Sequence, residues 1–452
     1  MSNKNANPPV DQQRRRVLTG LAAASASGLI GCGTSSAPAA SPAPALPSPE
    51  NSGIDHIVVV MMENRSFDHV LGWVPGANGL QAGLSYPDAS GIPQPTHHLT
   101  PDYQGCGLED PPHGYDHGRI CVAGGAMNGF LGESAVGDTF PIGYYTAADL
   151  SFFAGCAQEW TICDRYHSGI LASTQPNRMY MHCGQTDRLT TGSGLPMTST
   201  LPTIWDTTAE AGVSAGYYFS NLPYTAIWEA KYLSITRSVA AFFRDAAAGT
   251  LPSISYVDPF FYESGLGELA NDDHPFADVR NGQRFLNRIY SALRTSPNWP
   301  RTLLVINYDE WGGFFDHVIP PFMPVSDEER DTVGNDGQLG IRVPCILIGP
   351  RARRGHIEQT LFEPNSILKF MEWRWGLRPL GVRAAVTNNL LNALDFSSAS
   401  RTDQPEFRIP ANDTRSAGCA LGPDNRMTAS MAEHAQEVSA LQQKARDAGF
   451  VW

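Results

Sequence analysis

The sequence predicts an α/β fold built on parallel strands covered on both faces, and three observations carry that prediction. Ile57-Val58-Val59-Val60 is a β-branched run without polar/apolar alternation, extended by Met61 and Met62; a doubly covered strand reads this way, whereas a half-exposed one alternates. Thr302 to Asn307 and Val343 to Ile348 repeat the pattern late in the chain, with helical stretches between, such as Ala147 to Trp160 and Phe285 to Leu293. Two of these strands run straight into polar residues, Glu63-Asn64 and Tyr308-Asp309-Glu310. In open α/β sheets the crevice outside the carboxyl ends of the strands is where ligands bind.

The chain has 452 residues, 42% of them apolar and 17% charged, enough for one large α/β domain or two ordinary ones. A formal net charge of −13 argues against a nucleic-acid partner held through its phosphates, and it opposes passive adsorption on anionic lipid. No obligate protein partner is indicated.

At the start, Arg14-Arg15-Arg16-Val17-Leu18 precedes a short apolar, small-residue run from Thr19 to Gly31, the layout of a twin-arginine export signal. Leu29-Ile30-Gly31-Cys32 resembles a bacterial lipobox, in which Cys32 is lipidated and becomes the first mature residue. Ser35 to Pro49, rich in Ala, Pro and Ser, reads as a flexible tether. The expected organisation is therefore residues 1–32 as export signal, 33–52 as tether and 53–452 as a single catalytic domain. The product is expected in the periplasm or on the cell surface as a membrane-anchored lipoprotein, or secreted if Cys32 is not acylated. No later stretch is long and apolar enough to span a bilayer. Cys106, Cys121, Cys156, Cys163, Cys183, Cys345 and Cys419 form an odd set in a compartment that permits disulfides, so at most two bridges and at least one free thiol are expected.

After the first strand, Glu63-Asn64-Arg65-Ser66 either begins a site or caps a helix through Asn64 or Ser66. Trp73 to Asp110 is dense in Pro, Gly, Asn, Gln and His, which predicts irregular structure over the mouth of the site. It ends in Pro111-Pro112-His113-Gly114, a histidine held between prolines and glycine. In Ala147 to Trp160, Leu150, Phe153 and Ala154 share one helical face. Ser173-Thr174 then stands just before Gln175-Pro176-Asn177-Arg178, which opens a helix. There a hydroxyl meets free N–H groups and the positive end of the dipole, which suits phosphate binding and attack on phosphorus; the alternative is a plain Ser/Thr cap.

Five segments in order, Glu63-Asn64-Arg65-Ser66-Phe67-Asp68, Pro112-His113-Gly114, Gly143-Tyr144-Tyr145, Cys163-Asp164-Arg165-Tyr166-His167 and Thr174-Gln175-Pro176-Asn177-Arg178, resemble the bacterial phosphoesterase family. That family contains secreted phosphocholine-preferring phospholipases C and a group of acid phosphatases. Asp272-Asp273-His274-Pro275, Tyr308-Asp309-Glu310-Trp311-Gly312-Gly313-Phe314-Phe315-Asp316-His317-Val318, Gly349-Pro350 and Gly355-His356 continue the resemblance, which runs from about Ile54 to about Trp375. It implies a three-layer α/β/α sandwich with a mostly parallel central sheet, alkaline-phosphatase-like.

The same resemblance implies that Glu63, Asn64, Asp309 and Glu310 bind one divalent cation, with calcium, magnesium, manganese, iron and zinc all open, and that Thr174 is both its hydroxyl ligand and the nucleophile. Ser173 is the reserve if the register is off by one. The residues agree: hard oxygen ligands suit such a cation, and without one the adjacent carboxylates would repel until one stayed protonated. His113, His274, His317 and His356 are candidates for stabilising the phosphoryl oxygens and protonating the leaving alcohol, with His274 and His317 first because Asp273 and Asp316 stand beside them. Asn177 and Arg178 complete the candidate set. A choline pocket would need an aromatic cage, for which Trp73, Tyr144, Tyr145 and Trp311 are candidates.

Beyond Trp375, Leu377 to Phe396 reads as partly helical, Phe407 to Pro423 as loop, and Thr428 to Ala448 as an amphipathic helix with Met431, Val438, Leu441 and Ala445 on one face. The large haemolytic members of the family carry extra β-rich domains that are not expected here. The expected activity is metal-dependent phosphoric ester hydrolysis of phospholipase C type, cleaving a phosphodiester such as phosphatidylcholine to diacylglycerol and a phosphorylated headgroup through a phosphothreonine. An acid phosphatase acting on monoesters is the alternative, and a non-catalytic surface lipoprotein that binds phosphorylated ligands is a remote one.

Overall fold

The computed structural model describes residues 46–190, 198–261, 270–410 and 429–451, without the side chains of 429–435 and 437. Leu46–Trp452 is one compact unit. The export signal, Cys32, most of the tether and Cys419 lie outside the described residues.

An eight-stranded sheet organises this unit. Its strands are β1 (His56–Met62), β2 (Thr161–Cys163), β3 (Ala215–Phe219), β4 (Thr236–Ser238), β5 (Ile254–Val257), β6 (Thr302–Tyr308), β7 (Cys345–Ile348) and β8 (His356–Glu358), in the spatial order β8-β2-β7-β6-β1-β5-β3-β4. Of the seven pairings only those of β7, with β6 and β2, are antiparallel. β1 lies between β6 and β5, parallel to both. Ile57 to Met62 and all of β6 are buried, which is why neither strand alternates.

The register shows that both faces are covered. Tyr256 aligns with Val59 and Val59 with Val305, so these three point to one face. There the Tyr256 hydroxyl donates to the Met181 carbonyl of helix Thr174–Cys183 at 3.0 Å. Tyr308, an odd number of residues from Val305, points to the other face and meets Phe153 of helix Ser151–Glu159. The fold is a three-layer α/β/α sandwich.

Helix ends follow local chemistry. Asp278 caps Val279–Arg294 by accepting from the Arg280 N–H, and Pro364–Trp375 opens on a Glu363 capping box with proline in its first turn. Leu377 to Phe396 departs from expectation: it holds only two 3-10 turns, Val382–Ala385 and Leu390–Ala393. Gly376, in the left-handed conformation at φ 64°, stops the preceding helix, and Pro379 and Gly381 keep a new one from starting. The amphipathic helix near the end spans Ala429–Asp447. No helix among the described residues is long and apolar enough to cross a membrane. Cys106 is disulfide-bonded, while Cys121, Cys156, Cys163, Cys183 and Cys345 are buried free thiols that pack as small apolar groups.

Candidate active site

Three neighbouring parallel strands each end in an acid: β5 in Asp258, β1 in Glu63 and β6 in Asp309-Glu310. The parallel register brings Glu63 beside Asp309, and the Asn64 N–H donates to Asp309 Oδ1 at 3.3 Å. Arg178, wholly buried one turn into helix Thr174–Cys183, reaches all three strand ends. Its guanidinium lies 3.2 Å from Glu63 Oε1, 3.3 Å from Asp258 Oδ1 and 3.3 Å from Asp309 Oδ2, and it donates to the Met61 carbonyl. Tyr217 holds the far oxygen of Asp258 through its hydroxyl.

Three buried carboxylates thus face one guanidinium, and a fourth, Glu310, follows Asp309 directly. Burial, and then the charge of Asp309, pushes the Glu63 and Glu310 carboxyls well above the usual carboxylate range. Burial raises Asp309 as well, against the pull of Arg178. The remaining negative charge is unmatched, and the orphaned atoms show where a counter-charge fits. Glu63 Oε2, Asn64 Oδ1, Asp309 Oδ2 and Glu310 Oε1 are buried and accept no hydrogen bond, one oxygen from each of the four residues named from sequence. Hard oxygens in this number suit a divalent cation.

Backbone strain aims one of these ligands. Asn64 sits at φ 58°, a left-handed conformation rare outside glycine, and Gly312 packs against its carbonyl so closely that a Cβ there would lie 2.3 Å from the oxygen. The Glu310 carboxylate is fixed by the Gly312 N–H at 2.7 Å.

The histidines divide. His113 and His274 both turn Nδ1 to a backbone carbonyl, of Pro111 at 2.7 Å and of Pro275 at 2.5 Å, which leaves Nε2 directed inward. His113 Nε2 is 3.3 Å from Asn64 Nδ2 and 3.9 Å from Glu310 Oε1, and His274 Nε2 is 4.0 Å from Asp110 Oδ2. Asp110, His113 and His274 bring ligating atoms within 4.8 Å of one another, a second candidate cation group beside the first. His274 is attended by Asp110 and Asp272, whereas Asp273 turns away to accept from the Tyr308 hydroxyl at 2.5 Å, and burial raises its carboxyl to about 7.

His317 and Asp316 belong elsewhere. His317 pairs with Asp68 and Asn78, while Asp316 pairs with the buried Arg342, which also binds Asp68. Asp68, Asp316 and His317 could also hold an ion by spacing, but the Arg342 guanidinium already neutralises both carboxylates. His356 is displaced furthest. It starts β8, level with Val59 through Thr161, Leu347 and Val305, and so stands four strand spacings, roughly 19 Å, from β1. It binds Glu358 and Arg353, because the chain crosses past β7 to the sheet edge before resuming a strand.

Thr174 is the first residue of its helix, and the preceding Ser173 makes no capping hydrogen bond with its side chain. Asn177 braces this turn: its Oδ1 accepts from Ile170 N–H, and its Nδ2 donates to the carbonyls of Ala172 and Ser173. Thr174 lines a cleft together with Glu63, Gln175 and Arg178, with about 390 Å³ of empty space out to its open mouth. Trp73, Tyr144, Tyr145 and Trp311 build no cage. Trp311 and Tyr145 are fully buried, Trp73 donates to the Val70 carbonyl, and Tyr144 stacks on His98.

Asp110 and Asp258 were not singled out from sequence. Asp258 carried the signal that picked out Glu63 and Asp309, an acid directly after a buried strand, and Asp110 stands three residues before His113.

An α/β sandwich with acids and a hydroxyl converging at its strand ends offers oxygen ligands for a cation and a hydroxyl beside them. Residues 54–378 match the family described as the Phosphoesterase family, and the chain belongs to it. It is a hydrolase acting on phosphoester bonds. Among relatives, "Non-specific phospholipase C6" of Arabidopsis thaliana is 32% identical over 350 residues, covering 70% of this chain and 67% of that one. "Non-specific phospholipase C1" of the same plant is 34% identical over 342 residues, and the chain spans only 63% of its length. "Phospholipase C A" of Mycobacterium tuberculosis is 29% identical over 475 residues, covering 90% of this chain and 89% of the relative.

Proposed function

We propose that the chain is a phosphodiesterase of phospholipase C type, releasing diacylglycerol and a phosphorylated headgroup from a phospholipid such as phosphatidylcholine, with Thr174 as nucleophile. The observation that carries it is the placement of Thr174 at a helix start in the same cleft as Glu63 and Arg178. Thr174 Oγ1 gives its proton to water at the mouth of the cleft and forms a bond to phosphorus as the bond to the leaving alcohol breaks. His113 or His274, protonated at Nε2, supplies the alcohol's proton. Water then attacks the phosphothreonine and frees the threonine. Arg178 holds Glu63 and Asp309 in place and keeps positive charge beside the phosphoryl oxygens. A divalent cation held by Glu63, Asn64, Asp309 and Glu310 supplies Lewis acidity that favours ionisation of a neighbouring hydroxyl and offsets phosphoryl charge.

Turnover of p-nitrophenylphosphorylcholine above that of p-nitrophenyl phosphate is expected, and the reverse order would make the enzyme a monoesterase. Thr174→Ala should remove turnover by about a thousandfold or more while costing about 0.5–2 kcal/mol of stability, and Ser173→Ala should be mild. Acid trapping with labelled substrate should leave phosphate on Thr174. Label on Ser173, or an active Thr174→Ala enzyme, would refute the assignment.

Export through the twin-arginine pathway and acylation at Cys32 belong to the same proposal, supported by the Arg14-Arg15-Arg16 and Leu29-Ile30-Gly31-Cys32 segments. Cys32→Ala should move the protein from the membrane fraction to the soluble one; an unchanged distribution would remove the anchor.

A further inference from the structure

Beside its polar residues, the cleft that holds Thr174 has an apolar lining. This wall is Leu222, Tyr224 and Phe261 together with Val438 and Leu441 of helix Ala429–Asp447, a segment far in sequence from every motif of the catalytic half. Val438, Leu441 and Ala445 are buried along one helical face, and the helix packs on the turn Tyr224–Tyr232. The wall is braced from within. Asn221 donates through Nδ2 to the Phe261 carbonyl at 3.0 Å and accepts the Phe261 N–H at 2.9 Å, while Gln442 reaches the Asn221 carbonyl and Lys444 the Thr198 hydroxyl.

We infer that this helix supplies a hydrocarbon-binding wall of the active site, which takes the acylglycerol part of the ester and makes the enzyme prefer lipid esters to their deacylated counterparts. The inference rests on the phosphodiesterase proposal above and names the part of the substrate seated there. Leu222, Val438 and Leu441 are aliphatic, and the aromatic faces are already used: the Arg178 guanidinium lies 4.7 Å from the Phe261 ring centre and 5.8 Å from that of Tyr224. With those ring faces taken by the guanidinium, the surface left to a substrate on this side of the cleft is aliphatic. Hydrocarbon seated against Leu441 is removed from water within the same cleft in which Thr174 stands, so its binding energy acts on the reacting ester.

The test compares monomeric dihexanoylphosphatidylcholine with glycerophosphocholine as substrates of the full chain. Wild type should favour the acylated ester in kcat/KM by about tenfold or more, and Val438→Ser/Leu441→Ser should cut that ratio by about tenfold. Val451→Ser, at an exposed position past the helix, should leave the ratio unchanged. A ratio unaltered in the double variant, or equal losses on both substrates, would overturn the inference. Should the double variant fail to fold, wild type is labelled with a diazirine-tipped short-chain phosphatidylcholine and digested. Label on the peptide carrying Val438 and Leu441, or on Leu222, supports the wall, and label confined to other segments overturns it. Wild type that turns over neither ester refutes the phosphodiesterase proposal, while the labelling result still decides the wall.

Discussion

Single residues here work by position more than by type. Asn64 must hold a left-handed backbone to aim its amide, and Gly312 must lack a Cβ to let it. Gly376 has the same φ of 64° but has nothing within 4 Å of its would-be Cβ, so it separates strain from collision. Gly376→Ala should cost about 1–2 kcal/mol from the left-handed backbone alone. Gly312→Ala should cost at least about 2 kcal/mol more, since Asn64 must move, and should weaken divalent-cation binding, which Gly376→Ala should not. Urea unfolding and calorimetric titration with manganese would measure both, and equal costs for the two variants would show that the contact with Asn64 is slack.

Between elements, the loop after β1 and the loop after β6 are tied together before they present their ligands. Arg342 binds Asp68 at 3.1 Å and Asp316 at 3.0 Å, both partners fully buried, and donates also to the carbonyls of Asn78 and Asp164. Arg342→Met would strand two buried carboxylates, a cost of about 3–5 kcal/mol at neutral pH. Burial already raises the Asp316 carboxyl and Arg342 opposes that rise, so in the variant the folded-state value climbs further above the unfolded one. A carboxyl raised on folding costs stability above its folded value and none below its unfolded value. The deficit of Arg342→Met relative to wild type should therefore shrink as pH falls from about 7 to about 5. Denaturation midpoints across that range test it, and a deficit that is flat with pH would mean that packing carries the loss.

For the whole molecule, Glu63, Asn64, Asp309 and Glu310 are drawn together only in the folded state, so a cation bound there stabilises that state by mass action. A divalent cation at about a hundred times its dissociation constant should add about 2.7 kcal/mol and raise Tm by a few degrees, and chelator should reverse it. Glu63→Gln should abolish most of this rise, whereas Asp316→Asn should leave it, because Asp316 serves the Arg342 cluster. A cation-induced rise unchanged in Glu63→Gln would place the binding elsewhere, with Asp110, His113 and His274 as the next group to test.

The sequence by itself determined β1, β6 and β7, the acids that follow β1 and β6 and the helix opened by Thr174, because each depends on local signals: an unbroken apolar run, a polar stop, a turn before a helix. It also carried the motifs that the family resemblance rests on. Tertiary structure alone decided which histidines reach the site. His113 and His274 sit on loops that fold back over the strand ends, whereas His317 is claimed by Asp68 and His356 is carried to the sheet edge, and motif density cannot reveal a chain crossing. It decided too that Asp258 joins Arg178 and that Val438 and Leu441 line one cleft with Thr174, since pairings 80 residues apart and further depend on strand order and packing that no local pattern encodes.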